Sequence, residues 1–169
     1  VARHRYLIAL GSNMPHGRYG APRAVIAAAL QALDRGKSRV VSASRVIETP
    51  PLGPSRRRYA NAVAMLRSNR EPDEMLHKLQ KIERKFGRRR CGRAWSSRVL
   101  DLDIVLWSGG AWASHGEEPS LVIPHPLFRK RTFVLGPAAT IAGDWCDPLS
   151  GLTIRQLSAR LTKPRPAPR

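Results

Sequence analysis

The sequence predicts an α+β fold, a ferredoxin-like βαββαβ sandwich with an antiparallel sheet, helices on one face and C-terminal additions. Three observations predict it. Four short apolar or β-branched runs alternate with two segments of helical period in the order β-α-β-β-α-β. At 169 residues the chain has the length of one ordinary domain and can bury a core without staples. No internal repeat and no second-domain boundary interrupts it. The expectation is one domain over residues 1–162, with a Pro/Arg-rich, disordered tail over 163–169.

The first run, Tyr6-Leu-Ile-Ala-Leu10, is closed by Gly11-Ser12-Asn13 and reads as a buried strand entering a turn. From Pro22 to Arg35, Ile26, Leu30 and Leu33 recur at helical spacing, with Pro22 suited to the first turn and Gly36 to the end. Val40 to Glu48 is rich in β-branched residues and reads as the second strand. Thr49-Pro-Pro-Leu-Gly-Pro54 then forces a rigid loop. Ala60 to Leu66 is the third strand. Pro72 starts a helix whose stripe is Met75, Leu76, Leu79, Ile82 and Phe86. A basic, glycine-containing loop from Gly87 to Arg98 leads into the fourth strand, Val99 to Trp107. The last third is less regular: Ile-Pro-His-Pro at 123–126, an apolar run from Phe133, and a short helix from Thr153 to Leu161.

Hydrophobic content of 42% fits a globular chain, and no apolar run is long enough to cross a bilayer. The N-terminus is basic, but the apolar run behind it is too short for a signal-peptide core. Two cysteines, Cys91 and Cys146, make neither a disulfide framework nor a metal set, so a reducing cytoplasm is expected. Thirty Lys+Arg against 12 Asp+Glu give a net charge of +18. That surplus, mostly arginine, attracts nucleic acid, anionic lipid and nucleotide phosphates alike. It is equally the signature of a solvated, compositionally biased surface. Charge alone decides nothing.

The sharpest chemical signal is Arg98-Val-Leu-Asp101-Leu-Asp103-Ile-Val-Leu. Strand side chains alternate, so Asp101 and Asp103 share one face while Leu100, Leu102 and Ile104 take the other. Two carboxylates at that spacing repel within an apolar run, and a cation must sit between them. Arginine salt bridges would supply it, and so would a hard metal ion: carboxylate oxygens with water and phosphate are what Mg²⁺ takes. Neither a P-loop nor a Rossmann glycine motif is present to cradle phosphates. Arg88, Arg89, Arg90, Arg93 and Arg98 lead into the carboxylate strand instead, and guanidinium forks serve the same purpose.

An ordered set of segments carries a resemblance over nearly the whole chain. They are Ile8-Ala-Leu-Gly-Ser-Asn13, Glu48-Thr-Pro-Pro-Leu-Gly-Pro54, Tyr59-Ala-Asn61, Leu79-Gln-Lys-Ile-Glu83, Gly87-Arg88, Trp95, Arg98-Val-Leu-Asp-Leu-Asp-Ile104, Ile123-Pro-His-Pro126, Arg131-Thr-Phe133 and Gly151-Leu-Thr153. With these the chain resembles the 6-hydroxymethyl-7,8-dihydropterin pyrophosphokinases, enzymes of folate biosynthesis. The resemblance implies transfer of diphosphate from ATP to the hydroxymethyl group of 6-hydroxymethyl-7,8-dihydropterin, with release of AMP. It implies two Mg²⁺ ions on Asp101 and Asp103, with Arg88 and Arg98 neutralising phosphate charge. ATP would further meet Leu76, Gln80, Glu83, Trp95, Ile104, His125 and Arg131. The pterin would meet Thr49, Pro50, Leu52 and Asn61 at its edge, with Tyr59 and Phe133 on its two faces. Read without the resemblance, Tyr59, Asn61, His125 and Phe133 are ordinary strand, bulge, turn and core residues.

The sequence departs from the family's pattern at Ala94, Ser96 and Ser97, around Trp95. A loop from Gly87 to Ser97 that closes over bound nucleotide is expected. A basic RNA-binding module and a two-metal phosphohydrolase are the rival readings. The first lacks a row of sheet aromatics and the second lacks further ligands. A monomer without membrane or nucleic-acid partners is expected.

Overall fold

A computed structural model describes residues 3–51, 57–87, 98–116 and 120–164. Its main sheet contains β1 (His4–Ser12), β2 (Ser38–Ala43), β3 (Ile47–Thr49), β4 (Tyr59–Ser68) and β5 (Asp101–Trp107). The order is β2-β4-β1-β5, and β3 continues along β4 beside β2. Every pairing in it is antiparallel. The expected second strand is thus two pieces: the register slips between Val40 and Ser42, and the chain re-pairs at Ile47. At Ser44, between the pieces, the N–H donates to the Val63 carbonyl and the hydroxyl accepts the Val63 N–H.

Two helices cross one face. Helix α1 (Pro22–Leu33) starts with proline at its first turn, and Gly36 takes a positive φ of 66° just beyond its end. Helix α2 (Pro72–Lys85) has a reciprocal capping box between Glu71 and Glu74, acids in its first turn and bases in its last, all favourable to its dipole. Their apolar stripes meet Tyr6, Ile8 and Leu10 of β1, Leu66 of β4 and Ile104 of β5 in one core.

The opposite face corrects the expectation of helices on one side only. Leu7, Val63 and Val105 point there, and α3 (Thr132–Ala142) and α4 (Ile154–Thr162) cover them with Val134, Leu135, Ile154 and Leu157. The reason lies in the strands. Tyr6-Leu-Ile-Ala-Leu10 is apolar without alternation, so each face of β1 needs a cover. The apolar run from Phe133 is α3, with Pro137 inside it. The hydrogen bond that proline forgoes is outweighed by burying a helix apolar nearly all round. A small hairpin of β6 (Trp112–Ala113) and β7 (Val122–Ile123) was not foreseen from the sequence.

The second layer makes a prediction. Leu135 and Leu79 are both essentially buried, one under each face. Leu135→Ala and Leu79→Ala should each lower stability by about 2–5 kcal/mol. Urea titrations read this directly, and a loss below about 1 kcal/mol for Leu135→Ala would mean that α3 is not packed as described.

Candidate active site

The site forms where the C-terminal end of β1 meets the N-terminal ends of β4 and β5, an adjacency that antiparallel pairing imposes. In one row across the sheet, Asn61, Gly11 and Asp101 are in register. In the next, Val63, Ala9 and Asp103 are. The central strand therefore offers a hydrogen between Asn61 and Asp101 and a methyl group beside Asp103. A Cβ on Gly11 would already lie 3.4 Å from the Asn61 Oδ1. These two small residues form the floor of a cleft of about 370 Å³.

Asp101 and Asp103 line that cleft, each with roughly a third of its side chain exposed. Cations gather around them. Arg98 donates from Nη1 to the Asp101 Oδ1 at 2.9 Å. The Asp103 Oδ2 lies 3.7 Å from the Arg131 Nη1 and 3.8 Å from the His125 Nε2. The Arg98 backbone is itself clamped: its N–H donates to the Asn13 Oδ1 at 2.7 Å, and its carbonyl accepts the Asn13 N–H at 3.1 Å. Asn13 is buried, and its positioning role went unread in the sequence, where it closed the first strand's turn.

His125 is poised as a donor. Its Nδ1 accepts the Leu127 N–H, which leaves the proton of the neutral ring on Nε2, facing the cleft. Burial, with the Arg131 charge next, pushes its pKa down to about 4. On the far wall, Tyr59 and Phe133 line the cleft together with Thr49 and Asn61. The Asn61 Nδ2 donates to the Thr49 Oγ1 at 2.8 Å, which fixes the orientation of the amide. Burial raises the Tyr59 hydroxyl above its ordinary range, so it remains protonated at neutral pH.

Nine of the expected residues thus converge: Thr49, Tyr59, Asn61, Arg98, Asp101, Asp103, His125, Arg131 and Phe133. Others stand apart from the cleft lining. Leu76 and Gln80 lie on α2, Pro50 is exposed, and Ile104 is core on the opposite sheet face from Asp103. Glu83, expected at the nucleotide, is 2% exposed and its Oε1 accepts the Leu102 N–H at 2.8 Å, tying α2 to the start of β5. Arg88, Trp95 and Leu52 lie outside the described residues, as does most of the expected closing loop.

The donor set suits a hard divalent cation shared with substrate phosphate. Among the described residues no group of three or more His, Cys, Asp or Glu could cage a metal. Two carboxylates ringed by arginine match an ion that keeps its waters and takes its remaining ligands from phosphate. In the ligand-free protein, the burial of His125 should appear as a titration midpoint near pH 4 in histidine ¹H–¹³C spectra. A midpoint at the ordinary value near 6.5 would contradict the buried, neutral donor.

The chain is similar to known proteins over most of its length. Residues 7–143 match the family model described as 7,8-dihydro-6-hydroxymethylpterin-pyrophosphokinase (HPPK). A 2-amino-4-hydroxy-6-hydroxymethyldihydropteridine pyrophosphokinase of Pseudomonas aeruginosa is 40% identical over 146 residues, 83% of this chain and 82% of that one. Its counterpart in Methylorubrum extorquens is 33% identical, with 93% of each chain covered. That of Synechocystis sp. is 45% identical over 105 residues, a match spanning 62% of this chain and about half, 51%, of the relative. Wild-type Plasmodium falciparum HPPK-DHPS, crystallised with pteroate, superimposes with a TM-score of 0.75 at 11% identity. That match covers 93% of this chain and 44% of the other, and it speaks for the fold alone. The chain belongs to the 7,8-dihydro-6-hydroxymethylpterin-pyrophosphokinase family.

Proposed function

We propose that this protein transfers the terminal diphosphate of ATP to the hydroxymethyl group of 6-hydroxymethyl-7,8-dihydropterin and releases AMP. One observation carries the reading: paired carboxylates, two arginines and a histidine donor share a single cleft with two aromatic rings and an oriented amide. A phosphate chain fits the first half of that cleft, and a flat hydrogen-bonding ring fits the second. Family membership supplies the reaction class.

In this reading the pterin lies between Tyr59 and Phe133, faces that favour a planar ring. The Asn61 amide reads its edge. The hydroxymethyl oxygen then attacks the β-phosphorus as the bond from that phosphorus to the AMP oxygen breaks, and the hydroxyl proton passes to water. Mg²⁺ held by Asp101 and Asp103 would neutralise and align the triphosphate. Arg98 and Arg131 present fixed guanidinium charge where the phosphate oxygens gain it, and the His125 Nε2–H adds a neutral donor. Such donors act by being in place beforehand, which is why the clamp of Asn13 on the Arg98 backbone matters. Arg88 and Trp95 remain proposed members of the nucleotide side.

The strand order, with α1 and α2 as crossovers, we read as the ferredoxin-like arrangement extended by a second helical layer. Residues 1–162 would then form a single pyrophosphokinase domain. No helix among the described residues is long and apolar enough to cross a membrane. We place the reaction in the cytoplasm, on a monomer.

The decisive measurement is AMP production. It should require ATP, Mg²⁺ and the reduced hydroxymethylpterin together; ATP breakdown that ignores the pterin would support a phosphohydrolase instead. Arg98→Ala should cost about 2.7–4 kcal/mol in the transition state, read as a fall in kcat. A change confined to KM for ATP would make Arg98 a uniform binder. Tyr59→Ala and Phe133→Ala should weaken pterin binding and spare ATP binding, and calorimetry with each ligand separates the two effects.

A further inference from the structure

Between His125 and Arg131, the two phosphate-facing residues of the cleft's outer wall, the chain makes a tight turn, Phe128–Lys130. Three consecutive bases, Arg129, Lys130 and Arg131, lie there, and only Arg131 lines the cleft. Something must decide which guanidinium faces the phosphates. The turn is pinned at one end by the His125 N–H, which donates to the Val105 carbonyl, and in its middle by Phe128, buried in the second core. A third restraint comes from the loop between α3 and α4. The Arg129 Nε and Nη2 donate to the two carboxylate oxygens of Asp147 at 2.6 and 2.7 Å, a bidentate fork. Asp147 is fully buried. It also accepts the Ser150 hydroxyl at 2.6 Å and the Leu149 N–H at 3.1 Å, so its own orientation is fixed. Burial alone would raise its pKa; the bonds from Arg129, Ser150 and Leu149 outweigh it and hold the carboxyl at about 2.

We propose that Arg129 and Asp147 are positioning residues whose fork turns Arg129 away from the cleft and holds His125 and Arg131 at the phosphates; the proposal rests on reading the cleft as a diphosphate-transfer site. Arg131 is the residue that enters α3, and Asp147 lies beyond the far end of that helix. The fork therefore closes the chain around α3 and fixes where the helix begins, and with it Arg131 and Phe133. A planar fork sets orientation as well as distance, which a lysine ammonium cannot do. Consuming the Arg129 charge on a buried carboxylate also removes a competitor for phosphate.

Arg129→Lys, Asp147→Asn and the double variant test this, with Arg155→Gln, which breaks the exposed pair with Asp144, as a control that leaves the fork in place. Each is checked for folding by circular dichroism and assayed well below its unfolding midpoint. Each fork variant should lose about 10²-fold in kcat, the scale of an ångström-sized misplacement, with a smaller change in KM for the pterin. The double variant should be no worse than the poorer single, because both remove one interaction. Arg155→Gln should keep kcat and leave the His125 resonance where it is. In ¹H–¹³C spectra the His125 resonance, assigned with His125→Gln, should shift in the fork variants while those of His16 and His77 stay put. Folded fork variants with wild-type kcat and an unmoved His125 resonance would reduce the pair to a stabilising contact and overturn the proposal. Should Asp147→Asn fail to fold, Arg129→Lys carries the test, since it keeps a cation beside the buried carboxylate. If the wild-type protein makes no AMP from ATP and reduced hydroxymethylpterin, the functional reading fails, and the His125 resonance alone decides the clamp.

Discussion

Two carboxylates on one face of one strand repel, and much of the site's architecture follows from balancing that repulsion. Asp101 and Asp103 stand on β5, the edge strand paired with β1, and about two thirds of each side chain is out of solvent, where like charges are costly without partners. Three elements therefore bring positive or donating groups to the same point: the residues ahead of β5 with Arg98, the turn after β7 with His125, and the entry to α3 with Arg131. The room they need comes from β1. Register places Gly11 and Ala9 where any larger residue would fill the cleft.

Secondary structure at the site was legible because it rests on local pattern. Alternation put Asp101 and Asp103 on one face, and proline and glycine marked the limits of α1 and α2. What escaped depended on register or on layers distant in sequence. The apolar run of β1 read as a buried strand, but with helices assigned to one face only, the run from Phe133 had no place to pack. A proline inside a helix, as Pro137 is in α3, also runs against local propensity. Glu83 shows the limit of carrying a role over by position: its spacing suits a face of α2, but that face turns inward, where the carboxylate meets the unpaired N–H at the start of β5. The fork between Arg129 and Asp147 left no trace of this kind. One arginine among many and an aspartate before a proline are each commonplace, and only the fold brings them together.

The net charge of +18 takes on a narrower meaning at the site. A generally basic surface raises the local concentration of any polyanion without choosing among them. Choice comes from guanidiniums held in fixed directions, and several arginines here are held by other work. Arg23 and Arg58 both reach Glu48, Arg155 reaches Asp144, and Arg129 reaches Asp147. Of these pairs only the one on the buried Asp147 withholds its arginine from phosphate; the other three are exposed and restrain theirs weakly. Much of the excess can then be compositional without blurring the cleft.

The ion pairs within the cleft differ in kind from the fork beneath it. Arg98 and Asp101 meet at 2.9 Å with about a third of each side chain exposed, where a salt bridge contributes only about 0–1 kcal/mol. Arg131 and His125 stand farther from Asp103, at distances too long for hydrogen bonds. Such pairs are cheap to exchange. In the proposed reaction a nucleotide with its divalent cation would offer the carboxylates a stronger positive partner and the arginines a stronger negative one, so both sides would gain from the same swap. The ligand-free arrangement and the loaded one can then share a backbone, with charges re-paired rather than rebuilt. That economy demands that the supports stay fixed while the contacts change. The fully buried Asp147, the two-way clamp of Asn13 on Arg98 and the Glu83 bond to Leu102 satisfy it, since each anchors a site-bearing segment through a buried side chain.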